Sequence, residues 1–155
     1  LRLDMKKALL GILMGLAFTG CTYTTVSNLE MKTIDVHVRA SDWQYTDMAD
    51  NNYFYCVVDM PEITSEVFNR GEVQAYRIFY DNNNEPFKHI LPDVFHSKEV
   101  IDGNTFLYTT TVDCIYGAGW LELNYRVSDF VYDEGDYRDF APKAMDFSIV
   151  VTKGY

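Results

Sequence analysis

The sequence predicts an all-β fold: an immunoglobulin-like, Greek-key β-sandwich of about seven strands with one short helix near residues 64–70. Three observations predict it. Short runs of residues alternate between apolar and polar, or are apolar throughout, as strands do. Clusters of Gly, Pro, Asn and Asp separate these runs. Only one stretch carries helix signals, and no 3.6-residue period is sustained.

The elements follow in chain order. In "TIDVHVRA", Ile34, Val36 and Val38 point one way and Thr33, Asp35, His37 and Arg39 the other, which describes a half-buried strand. "SDWQYTDMADNN" reads as a polar loop around Trp43, whose ring packs into the core at a sheet end. "YFYCVVDM" is apolar on both faces and fits a central strand buried on both sides. Pro61 ends it. In "PEITSEVFNRG", Thr64 caps a helix through its hydroxyl, and Glu66 sits near the positive helix end. Ile63, Val67 and Phe68 form one apolar stripe, and Gly71 stops the helix in a left-handed turn. This helix carries the chain from one sheet to the other.

"EVQAYRIFY" is the next strand. "DNNNEP" is a hairpin-type turn, because Asn and Asp tolerate positive φ. "FKHILP" is a short strand closed by Pro92. "NTFLYTTTVDCIY" is long, alternating and rich in Thr and aromatics. Gly117 and Gly119 make a turn or bulge. In "WLELNYRV", Leu121, Leu123, Tyr125 and Val127 face inward, and Trp120, Glu122, Asn124 and Arg126 face outward. "YDEGDYRDFAPK" is an acidic loop. "MDFSIVVTK" closes the fold, with Phe147, Ile149 and Val151 on one face.

The start of the chain has a different character. In "MKKALLGILMGLAFTGC", Lys6 and Lys7 precede an apolar run from Ala8 to Phe18. That run is shorter than the roughly 20 residues a membrane-spanning helix needs. Residues 1–20 therefore read as a secretory signal peptide, with 1–4 upstream of the true start at Met5. Phe18-Thr19-Gly20-Cys21 resembles the lipobox of bacterial lipoproteins, although Phe18 replaces the usual leucine. The resemblance implies lipidation of Cys21 and cleavage before it. Residues 21–31 then form a lipidated tether and 32–155 the β-sandwich domain. Several acyl chains anchor a protein durably, where one alone would be marginal.

The run "YFYCVVDMPEITSEVFNRGEVQAYRIFY", Tyr53 to Tyr80, resembles uncharacterised lipoproteins of Bacteroides-type bacteria. So do the aromatic–glycine turn near Trp120 and the terminal "FSIVV" strand. The resemblance covers most of the mature chain. It implies a sandwich fold and a cell-envelope address, and it carries no active-site residues. Thr22 after the cysteine is compatible with the outer membrane. The lack of acidic residues in "TYTTVSN" favours its periplasmic face over the cell surface.

Loss of residues 1–20 leaves 10 basic and 22 acidic residues, a net charge of −12. That charge argues against nucleic acid and anionic lipid as partners, since both demand a basic surface. No cofactor is expected. Cys56 and Cys114 sit in apolar strands of an exported chain, where a disulfide is allowed; the alternative is two buried thiols acting as small hydrophobes.

Catalytic signals are weak. The chain has no Gly-x-Ser-x-Gly, and His37, His89 and His96 occur in unrelated contexts. Zinc spacing is absent. Asp133, Glu134, Asp136 and Asp139 around Gly135 offer oxygens that calcium could use, but in no EF-hand order. The strongest ligand clue is Trp120, on one face with Glu122, Asn124 and Arg126. A tryptophan beside such groups can stack on a sugar or anchor a protein contact. A bulge at Gly119 would turn it inward instead. The expectation is a non-catalytic, lipid-anchored envelope module. A glycan- or protein-binding accessory protein acting through Trp120 is the alternative, and a hydrolase a remote one.

Overall fold

The computed structural model describes residues 30–46, 53–101, 103–128 and 140–154. The stretch read as a signal peptide, Cys21, the stretch read as a tether as far as residue 29, and the calcium candidates Asp133, Glu134, Asp136 and Asp139 lie outside the described residues.

The described chain folds into two antiparallel sheets packed face to face. Its strands are β1 (Glu30–Val38), β2 (Gln44–Thr46), β3 (Tyr53–Met60), β4 (Glu72–Tyr80), β5 (Pro86–Ile90), β6 (Asp93–Ile101), β7 (Asn104–Gly117), β8 (Gly119–Val127) and β9 (Met145–Lys153). The four-stranded sheet has the order β1-β9-β4-β5, and the five-stranded sheet β2-β3-β8-β7-β6. Within the latter, β6, β7 and β8 follow one another and β3 returns beside β8, which is a Greek key.

Alternation decides the core. Phe147, Ile149 and Val151 of β9 face Leu121 and Leu123 of β8, Phe54 and Cys56 of β3, and Val112 of β7 in one buried cluster. Complete burial of each such side chain contributes about 1.5–3 kcal/mol. Trp43 joins this core at a sheet end, with its ring 6.3 Å from that of Tyr125.

Helix α1 (Ser65–Arg70) links β3 to β4 and so crosses between sheets. Thr64 caps it, its hydroxyl accepting a bond from the Val67 amide at 3.2 Å. Gly71, however, is extended rather than left-handed. It is glycine for space: a Cβ there would sit 2.3 Å from the Thr152 carbonyl oxygen. Phe68 is not core either. It is half exposed, edge-on to Tyr116. The turn residues behave as their chemistry requires, with Asn84 at φ 64° and Gly119 at φ 89°.

Other expectations change. Among the described residues there are nine strands rather than about seven, because β2 lies in the stretch read as a loop and β6 follows Pro92 directly. β1 begins at Glu30, inside the stretch read as tether. β3 is buried on one face only: Phe54, Cys56 and Met60 point inward, while Val57 and Asp59 are exposed.

The proposed Cys56–Cys114 bridge is absent, and the register shows why. Both cysteines pair with Leu123, Cys56 from β3 and Cys114 from β7. They lie two strand spacings apart, about 9–10 Å, beyond the roughly 7 Å a disulfide can span. Both thiols are free. Burial pushes the Cys114 thiol up to about 11, with neighbouring Asp113 adding to it.

Two outcomes follow. Iodoacetamide at pH 8 should leave Cys56 and Cys114 unmodified in the folded protein, because the thiol form predominates well below its pKa. Both should alkylate after denaturation without reductant, and a mass spectrum reads the difference. Leu123→Ala, between the two cysteines, should cost about 2–5 kcal/mol in urea unfolding.

Candidate functional site

The outer face of the five-stranded sheet holds the residues singled out in the sequence. The β7–β8 turn at Gly119 leaves the alternation of β8 intact, so Trp120, Glu122, Asn124 and Arg126 share this face. Cross-strand register arranges them in rows. Trp120 lies between Asp59 and Gly117, and Glu122 between Val57 and Ile115. Asn124 lies between Tyr55 and Asp113. Arg126 pairs with Thr111 and holds its guanidinium 4.6 Å from the centre of the Tyr53 ring.

Trp120 is 38% exposed, and its indole lies flat on Gly117. A Cβ at Gly117 would come within 2.7 Å of that ring, so glycine is what lets the indole settle on β7. Beside it Val57 and Ile115 are each about half exposed, at 50% and 51%. The far end is polar and tied together. Asn124 Nδ2 donates to Asp113 Oδ1 at 2.9 Å, Arg126 Nε lies 3.4 Å from Asp113 Oδ2, and the Tyr55 hydroxyl donates to Gln44 Oε1 at 2.9 Å.

Asn124 corrects the sequence reading. It points to the outer face yet is only 1% exposed, sunk between its row neighbours. Its Oδ1 is buried and, among the described residues, accepts no hydrogen bond. Trp120 and Glu122 thus form an accessible end of the face, while Asn124 belongs to its framework. Trp120 and Asn124 are four residues apart on β8, about 13 Å.

A second cluster escaped the sequence reading. Where edge strands β5 and β6 approach each other, Arg77 of β4 points into the sandwich, in the row Val36–Phe147–Arg77–His89. Its Nη1 donates to Asp93 Oδ2 at 3.4 Å, and His89 Nδ1 meets Asp93 Oδ1 at 3.1 Å. The guanidinium lies 4.3 Å from the centre of the Phe79 ring and 5.1 Å from that of Phe95. Burial pulls the Arg77 pKa down; Asp93 and Tyr125 oppose the shift. The signal lay in the alternation of "EVQAYRIFY": Val73, Ala75 and Phe79 share a face with a charged residue.

The remaining histidines form no such convergence. His37 meets Asp146 at 2.6 Å on the outside of the four-stranded sheet, and among the described residues no hydroxyl or thiol bonds its ring. His96 meets the Thr109 hydroxyl at 3.1 Å. Among the described residues no group of three or more His, Cys, Asp or Glu could hold a metal ion. No family model, curated protein or solved structure matches the chain.

Asp113 is the hinge of the polar end, since it receives both Asn124 and Arg126. Asp113→Ala should therefore destabilise the fold by about 1–3 kcal/mol in urea unfolding, the cost of leaving a buried amide unpaired. Gly117→Ala should lift the indole of Trp120 and shift tryptophan emission to longer wavelength.

Proposed function

We propose that the chain is a lipid-anchored protein of the bacterial cell envelope that binds a partner and catalyses no reaction. The observation that carries the binding part is the outer face of the five-stranded sheet. It exposes Trp120 in one row and Val57 and Ile115 in the next, with Asp59 beside the indole and Glu122 between the two aliphatic side chains. Exposed apolar side chains grouped with polar ones suit a contact surface of mixed character. The anchor rests on the leader and Cys21, in keeping with the lipoproteins the chain resembles. On this reading the outer membrane holds the protein through its lipid, with the domain on the periplasmic side. Nucleic acid is not a partner.

A surface accessory protein is the second reading, favoured by the indole of Trp120 lying flat and accessible on Gly117. A ring in that pose can stack on a sugar or seat a protein contact, with Glu122 as a hydrogen-bonding neighbour. A hydrolase remains the remote alternative. It would need a nucleophile at His37–Asp146, or a pair of carboxylates in a cleft.

Protease treatment of intact cells distinguishes the two membrane faces. The wild-type domain should survive until the outer membrane is broken, and Cys21→Ala should release it into the soluble periplasmic fraction. Digestion on intact cells would favour the accessory reading, and Trp120→Ala should then lower partner or glycan capture at least tenfold. Turnover of any substrate by the purified protein would sink the non-catalytic reading.

A further inference from the structure

We propose that the Arg77–His89 corner between β5 and β6 is a binding site for a carboxylate attached to a flat apolar group. It stands apart from the envelope reading and from the Trp120 face.

Three features carry it. First, Arg77 is underused. A guanidinium has five N–H donors in a planar fork. Among the described residues its only hydrogen bond is the long one to Asp93 at 3.4 Å, and its side chain is 15% exposed. A desolvated cation in that state gains strongly from a further charge-assisted bond. Second, the corner is open. The His89 side chain is 51% exposed on edge strand β5, and its ring uses only Nδ1, towards Asp93. Third, the walls are aromatic. Phe79 and Phe87 stack with centroids 5.5 Å apart and an interplanar angle of 15°, and His89 lies 4.7 Å from Phe79. A flat apolar group can extend that stack while its carboxylate meets the fork.

Asp93 has a positioning role. Its two oxygens hold Arg77 and His89 from one point at the start of β6. It also sets the charge of the ligand. Its carboxylate already stands beside the Arg77 guanidinium, so a ligand of low negative charge is opposed least. A phosphate dianion would crowd a further charge against Asp93 among aromatic walls, where repulsion is poorly screened. The chemistry therefore favours a monocarboxylate.

The test uses the full chain in non-ionic detergent, with benzoate as probe and benzamide as its neutral counterpart. Nitrogen-15 NMR of the arginine Nε–H signals reports the site directly. Benzoate should shift the Arg77 signal saturably, and benzamide should not. Arg77→Lys, which keeps the charge but loses the fork, should weaken benzoate at least tenfold. Phe87→Ala removes a half-exposed wall without touching the core and should weaken it several-fold. The proposal is overturned if benzoate leaves the Arg77 signal unmoved, if benzamide acts equally, or if both variants bind like the parent. Inorganic phosphate binding more tightly than benzoate would overturn the carboxylate assignment.

Discussion

The pairing of β9 between β1 and β4 is the constraint on which the rest of the sandwich depends. β9 hydrogen-bonds to both neighbours, while β1 and β4 never touch as strands. The four-stranded sheet therefore has no centre until the last described strand arrives. That strand is also the core of the layer, since Phe147, Ile149 and Val151 supply its inward face. Its outward face is equally settled: Ser148 is fully buried, and Lys88 reaches across from β5 to donate to its hydroxyl at 2.9 Å. A small polar residue fits there because it has a donor and no room for bulk. Such long-range closure puts the entropy cost of loop formation before the reward of pairing.

Much of this was legible in the sequence because one-sided burial writes itself as alternation. β1, β8 and β9 each have one core face, and their inward residues can be read from the period of two. The two missed strands lack that cue. β2 has only three residues and sits at a sheet edge, where pairing with β3 rather than burial defines it. β6 carries Val94, His96 and Lys98 on one face and Asp93, Phe95 and Ser97 on the other, so neither side is purely apolar. β3 misled in the opposite direction. Tyr53, Tyr55 and Val57 made its outer face look like core, yet that face belongs to the exposed side of the sheet.

The site was legible as a direction and not as a depth. Alternation placed Trp120, Glu122, Asn124 and Arg126 together, and the turn at Gly119 preserved it. How far each side chain sinks depends on its neighbours across two strands, and no local pattern encodes those. Asn124 disappears because Tyr55 and Asp113 flank it, while Trp120 stays accessible because glycine flanks it. The cysteines obey the same rule. Their separation is set by Leu123 standing between them, a fact about register that spacing along the chain does not contain.

Electrostatics separates the two surfaces. Around Trp120 the carboxylates of Asp59 and Glu122 add to a chain already at net −10, so contact there must come from stacking and apolar area. At the β5–β6 corner a cation points inward between Phe79 and Phe95, and its field acts over a few ångströms in a poorly solvated setting. At physiological salt, exposed charges are screened over about 8 Å, so the diffuse acidic surface weakens at a distance while the partly buried fork keeps its strength at contact. An anion approaching this chain gains no long-range steering. Selectivity at the corner must therefore arise after encounter, from the planar fork and the aromatic walls, which reward shape as well as charge.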